Sequence, residues 1–205
     1  MKIDIRSNIK EVTKDLNRIQ KKQIPFATML ALNDVAFGSR KELNKQAIKK
    51  FDRPTPFTLK GFQVRKAKKT HLESVVFIEE KRLKYMNLQI DGGIRTPEKR
   101  ALVIPTNNLR LNKYGNMPRR KIDTLLNMKN TFSGTPRGGG KNANAGPGIW
   151  QRTNKNHKLK KLVSYEKYAK YTPRFNFERI VKSYVSNTFN RHLEKRLSVA
   201  LATAR

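Results

Sequence analysis

The chain has 205 residues, 37% of them hydrophobic, which suffices for one sizeable core and sets a single domain over 1–205 as the expectation. It carries 46 Lys plus Arg against 15 Asp plus Glu, a formal net charge of +31, and self-repulsion on that scale calls for something negative nearby. With no Cys and only His71, His157 and His192, widely dispersed, neither a disulfide framework nor a metal-ligand spacing is present, so no metal or cofactor is expected. No stretch approaches 18 apolar residues and the N-terminus lacks an apolar run of signal-peptide length, so neither a membrane span nor a secretory signal is expected.

In chain order the pattern predicts an α+β protein. Ile3 and Ile5 alternate with charged residues as a short strand does. Ser7 is a candidate N-cap for a first helix carrying Ile9, Val12, Leu16 and Ile19. Pro25 suits the first turn of a second helix, in which Phe26, Met29, Leu30, Ala36, Phe37, Leu43, Ala47 and Phe51 form an apolar stripe up to the RPTP break at 53–56. Residues 57–67 and 71–80 read as two strands joined by a basic turn, 100–105 as a third and 159–165 as another, mainly antiparallel. After Pro173 a long C-terminal helix carries Phe177, Ile180, Val181, Tyr184, Phe189, Leu193, Leu197 and Leu201 on one face. No internal repeat is visible.

Catalytic signals are thin. GTPRGGGKN at 134–142 invites comparison with a phosphate-binding P-loop, but Thr135 stands where its first Gly belongs, Asn142 replaces the required hydroxyl, and Gly146, Pro147 and Gly148 break any following helix. Glu79 and Glu80, read as strand neighbours, point to opposite faces, and His71 reads as a strand-edge residue. No nucleophile–base set assembles, so neither an enzyme nor a small-molecule substrate is expected. Tyr114, Phe132 and Trp150 could stack on bases, yet no helix-turn-helix, zinc-finger or RNP pattern accompanies them.

Charge is unevenly distributed. Residues 1–60 hold 14 basic and 6 acidic side chains, 61–99 hold 9 and 5, and 100–165 hold 14 against Asp123 alone. The stretch at about 127–158 therefore reads as a flexible, Gly-rich basic loop. Arg119, Arg120, Lys121, Arg137, Lys141, Arg152, Lys155, Lys158, Lys160 and Lys161 are the candidate contacts to phosphates or acidic partner surfaces. A plainly solvated basic face is the alternative. Gly92 and Gly93 mark a turn that either needs positive φ or close subunit approach, or belongs to an ordinary hairpin.

Several stretches together are similar to the phage minor tail protein Z, or tail-completion, family: ALNDVAF at 31–37, RPTPFTLKGFQVRKA at 53–67, YMNLQIDGGIR at 85–95, NKYGNMPRRKIDTLL at 112–126, GIWQR at 148–152, and YTPRFNF followed by a helix ending LATAR. The resemblance implies a non-enzymatic virion protein at the head–tail junction of a tailed bacteriophage, assembled in the host cytoplasm. It would work as a homo-oligomeric ring whose partners are neck, connector and tail proteins, with non-specific contact to packaged DNA. In that setting the apolar stripe of the last helix, Phe177, Val181, Tyr184, Leu197 and Leu201, is the expected subunit interface. Composition alone also accommodates a general nucleic-acid-binding protein such as a ribosomal protein.

Overall fold

In the first long helix, Ala27, Thr28, Ala31, Leu32, Val35, Ala36, Ser39, Leu43 and Ala47 are buried, a three-to-four-residue spacing that turns one continuous stripe inward. The computed structural model describes residues 1–6, 18–137, 145–153 and 158–203. Among these the chain forms two compact units, Met1–Ile90 with Pro173–Arg205, and Asp91–Thr172. The second is thus an insertion between two stretches of the first. No helix among the described residues is long and apolar enough to cross a membrane.

The first unit contains β1 (Lys2–Arg6), α1 (Arg18–Lys50), the single turn α2 (Pro56–Leu59), β2 (Phe62–Arg65), β3 (Glu73–Ile78), α3 (Glu80–Ile90) and, after the insertion, α5 (Phe177–Ala202). The three strands form an antiparallel sheet in the order β1-β3-β2, with Ile3 opposite Val76 and Val64 opposite the same Val76 from the other side. Helices α1 and α5 run antiparallel. Asp34 meets Arg196, Gly38 meets Tyr184 and, just beyond the facing helix ends, Phe51 meets Phe175, so positions rising along α1 fall along α5. The core between helices and sheet holds Leu32, Val35, Leu43, Phe62, Val76, Met86, Phe175, Phe177 and Val181, with the Phe62 ring 5.7 Å from Phe175 and 6.4 Å from Phe177. Each such side chain, removed from water, stabilises the unit by about 1.5–3 kcal/mol.

Three expectations are corrected here. Pro25 does not open a helix: helical backbone begins by Arg18 and runs through it, because Arg, Lys and Gln in the preceding turns are good helix formers. The expected first helix, by contrast, lies mostly outside the described residues. Ile19 belongs to α1, and Ser7, Ile9, Val12 and Leu16 lie outside the described residues. Residues 57–67 are not one strand either. Pro56 supplies the preset φ of a first helical position and Thr55 Oγ1 accepts from the Thr58 amide at 3.2 Å, so the stretch opens with a helical turn before β2. Glu79 and Glu80 likewise leave the strand. β3 ends at Ile78, and the Glu79 carbonyl accepts the Arg82 and Leu83 amides that start α3.

The second unit consists of β4 (Gly93–Arg95), β5 (Leu102–Pro105), α4 (Lys121–Leu126), β6 (Thr131–Gly134), β7 (Gly148–Arg152), β8 (Leu159–Glu166) and β9 (Ala169–Tyr171). Its main sheet is antiparallel in the order β5-β8-β7-β6, and β4 pairs with β9 in a separate ribbon. Leu109, Leu125, Ile149, Leu162 and Val163 make its core, with Met117 and Ile122 packed against it. Gly92 at φ 75° and Gly93 at φ 121° form the turn that leaves α3, so the positive-φ reading of this pair holds and no hairpin is involved. Two strands, β6 and β7, fall inside the stretch expected as a flexible loop at 127–158. Their antiparallel pairing, Phe132 opposite Trp150 and Gly134 opposite Gly148, replaces a continuous arm by a hairpin.

Candidate polyanion interface

One row of side chains crosses three strands of the second unit's sheet. Phe132 on β6 lies opposite Trp150 on β7, and Trp150 lies opposite Lys161 on β8. Arg152, two residues beyond Trp150, points to the same face. A register shift at Ile149/Trp150 separates this end of the ladder from the end where Ile149 and Val163 enter the core. Sequence alternation contributes to the arrangement: in GIWQR, Ile149 enters the core while Trp150 and Arg152 share the other face, where Arg152 is exposed and Trp150 is covered.

The cations of this row sit on the rings. The Arg152 guanidinium lies 4.6 Å from the centre of Phe132, and the Lys161 ammonium 5.5 Å from that of Trp150. Tyr114, elsewhere in the same unit, has the Lys113 ammonium 5.1 Å from its ring centre. Lys161 Nζ also donates to the Ala145 carbonyl at 2.5 Å, tying the chain that enters β7 to β8. Beside the row, Phe132, Ser133, Gly134, Thr135, Pro136, Arg137, Arg152 and Leu159 line a groove of about 530 Å³.

Electrostatically the two units differ. Asp91–Thr172 contains 18 Lys plus Arg and 4 Asp plus Glu. Among the described residues every ion pair belongs to the first unit: Arg6–Glu73, Arg82–Glu79, Lys182–Glu178 and Arg196–Asp34 are examples, and none falls in the second. The second unit's positive field is therefore uncompensated from within. Among the described residues no group of three His, Asp or Glu could hold a metal ion.

The structure distributes the ten anticipated contact residues unequally. Arg137 and Arg152 share the groove. Lys161 is half-buried and held by Ala145, so it shapes the hairpin as well as charging it. Lys160, opposite Gln151, alternates to the other face of the sheet. Arg119 and Arg120 are exposed just before α4, Arg120 with φ 58°, and Lys121 is half-buried at the helix start. Lys158 is exposed, whereas Lys141 and Lys155 lie outside the described residues, as do the three glycines before Lys141. Sequence reasoning missed the cation–ring pairs. The two-residue spacing of Trp150 and Arg152 was the available signal, but their partners on β6 and β8 are set by register.

The expected interface stripe is also divided. Phe177 and Val181 are 0% exposed inside the first unit's own core, Tyr184 and Leu197 are half-buried, and Leu201 is 49% exposed with Val199 beside it at 52%. His71 is exposed, 3.4 Å from the Glu73 carboxylate. Comparison of the chain with family models, with curated proteins and with solved structures gives no match.

Proposed function

We propose that the protein is a structural, non-enzymatic subunit of the head–tail junction of a tailed bacteriophage. In this reading it assembles as an oligomeric ring or collar that joins the tail to the capsid connector around the DNA channel. The six stretches resembling tail-completion proteins support the placement in the virion. The observation that carries the functional part is the second unit's charge, 18 basic to 4 acidic side chains with no ion pair among its described residues. A protein surface of this kind is stabilised by a polyanion, and packaged duplex DNA presents about one negative charge per 1.7 Å of its axis. Exposed Leu201 and Val199 on the last turns of α5 are apolar surface available to a neighbouring copy or to another neck protein.

The test is to produce particles lacking this protein. Filled heads and separate tails that fail to join, restored by adding the purified chain, are expected. Normal joined particles would sink the reading. A general nucleic-acid-binding protein of the ribosomal kind is favoured by the same charge. It predicts that the purified chain stays monomeric without nucleic acid and sediments with ribosomes, whereas a collar subunit forms discrete oligomers and does not.

A further inference from the structure

We infer that the second unit holds double-stranded DNA by its phosphates, through guanidinium groups pre-positioned on the β6–β7 hairpin, and that the hairpin's own rings, Phe132 and Trp150, are not base-stacking platforms. This rests on the reading of that unit as the DNA-facing part of the protein.

The aromatics decide the mode. A single-strand binder needs open rings, because each stacked base contributes about 1–3 kcal/mol only if it can reach a π-face. Here Tyr114, Phe132 and Trp150, the aromatic residues of the basic segment that sequence alone would offer to bases, each have a cation near the ring. Trp150 is in addition only 2% exposed. A base would have to displace Arg152 from Phe132 or Lys161 from both Trp150 and the Ala145 carbonyl before stacking.

The same pairs suit phosphates. Stacking on Phe132 restricts the Arg152 guanidinium in one plane while its N–H edge remains able to donate, and no carboxylate pairs with it among the described residues. Two parallel N–H donors match two phosphate oxygens, and holding the fork in place beforehand reduces the ordering cost of each contact. Arg137 lines the same groove of about 530 Å³, which gives the site a second guanidinium without an acidic side chain in its lining. Charge complementarity thus selects a phosphodiester. The high linear charge of the duplex favours it over a single strand, and the one aromatic ring lining the groove, Phe132, is already covered by Arg152, which removes the compensating advantage a single strand would have there.

The experiment measures binding of the full chain to two short duplexes of unrelated sequence and to a single strand of equal length, by fluorescence anisotropy over a range of salt. Equal affinity for both duplexes and weaker binding of the single strand are expected. Replacing Arg137 and Arg152 together by Ser should reduce the slope of log affinity against log salt by about two units, since each lost phosphate contact removes roughly 0.9. Lys49→Ser with Lys50→Ser, on the first unit, serves as the charge-matched control and should leave the slope unchanged. Trp150 fluorescence verifies that each variant keeps the hairpin folded. Phe132→Leu, which removes the ring under Arg152, should weaken duplex binding. If the single strand binds better and Phe132→Leu abolishes that preference, base stacking is the mode and the inference fails while the DNA reading survives. An equal loss of slope in the control and groove variants places the seat elsewhere and also overturns it. Absence of salt-dependent binding to any nucleic acid removes the underlying reading as well.

Discussion

Arg196 on α5 donates two hydrogen bonds to Asp34 on α1, Nε to Oδ2 at 2.6 Å and Nη2 to Oδ1 at 3.0 Å, across 162 residues of sequence. The neighbour of Asp34 on α1, Asn33, reaches the connection between β2 and β3: its Oδ1 accepts the Ala67 amide at 2.7 Å and its Nδ2 donates to the Ala67 carbonyl at 3.3 Å. Adjacent polar residues in ALNDVAF therefore lock α1 both to α5 and to the β2–β3 connection.

Both partners of the Asp34–Arg196 pair are about one-third exposed, so solvent screening trims the strength of a charge-assisted pair. Asp34→Ala is expected to lower stability by about 1–2 kcal/mol, and a double-mutant cycle with Arg196→Leu should return a coupling of about 1 kcal/mol. The hydrogen bond to Asp34 raises the Arg196 pKa above its ordinary value, with burial opposing and the Coulomb attraction assisting. A raised value means the stabilisation is complete below the ordinary arginine pKa and is lost only as pH climbs through the raised one. The difference between wild type and Arg196→Leu should therefore stay level from about pH 7 to about pH 10 in thermal denaturation.

Gly38→Ala should destabilise the first unit despite Ala's better helix propensity. A methyl there would lie 2.2 Å from Tyr184 Oη and 2.6 Å from two ring carbons, so the aromatic side chain must move. Propensity returns about 1 kcal/mol, whereas overpacking costs about 1–3 kcal/mol. A net loss that disappears in the Tyr184→Leu background is the expected result of chemical denaturation. No loss in the native background would mean that Tyr184 swings aside freely.

Along α5, stability and assembly should separate by position. Phe177→Ala empties a fully buried site and should cost about 3–5 kcal/mol, read as unfolding of the isolated chain. Leu201→Glu falls on an exposed position and should change stability by no more than about 0.5 kcal/mol. If the end of α5 contacts a neighbour, Leu201→Glu reduces oligomer formation in size-exclusion chromatography while its melting curve is unaltered. An unchanged elution profile would remove this end of the helix from the interface.

Gly148→Ala is expected to disrupt the second unit. The added Cβ would stand 2.1 Å from the Val163 carbonyl oxygen, a main-chain atom of the paired strand that cannot rotate away. Separation of β7 from β8 should cost about 2 kcal/mol or more. Trp150, the sole tryptophan, reports on this unit, whereas the two long helices of the first dominate far-UV circular dichroism. A fluorescence transition at lower denaturant, with a smaller change in the dichroism transition, is the expected signature. Coincident shifts of equal size would show instead that the whole chain unfolds as one.

Local periodicity by itself determined much of the α+β outline. The stripe read from Phe26 to Phe51, of which Ala36, Leu43 and Ala47 are buried, and the run from Phe177 to Leu201 repeat every three to four residues, and β1, β3, β5 and β8 alternate or run apolar over a few residues. Such patterns are written between near neighbours, so no partner is needed to read them. Where local signals competed, tertiary context decided. Pro25 looked like a beginning but lies inside a helix, and the Gly- and Asn-rich surroundings of GIWQR concealed a strand whose hydrogen bonds come from β6 and β8. Net charge and its concentration in 100–165 were likewise legible without a fold. Which cations share a surface was not: Arg137 and Arg152 meet in one groove, Lys160 turns to the opposite face, and Lys161 becomes a strut for Ala145. The reason is that a strand's side chains change face at every residue, so their partners depend on the register between strands distant in sequence, which only the folded sheet supplies.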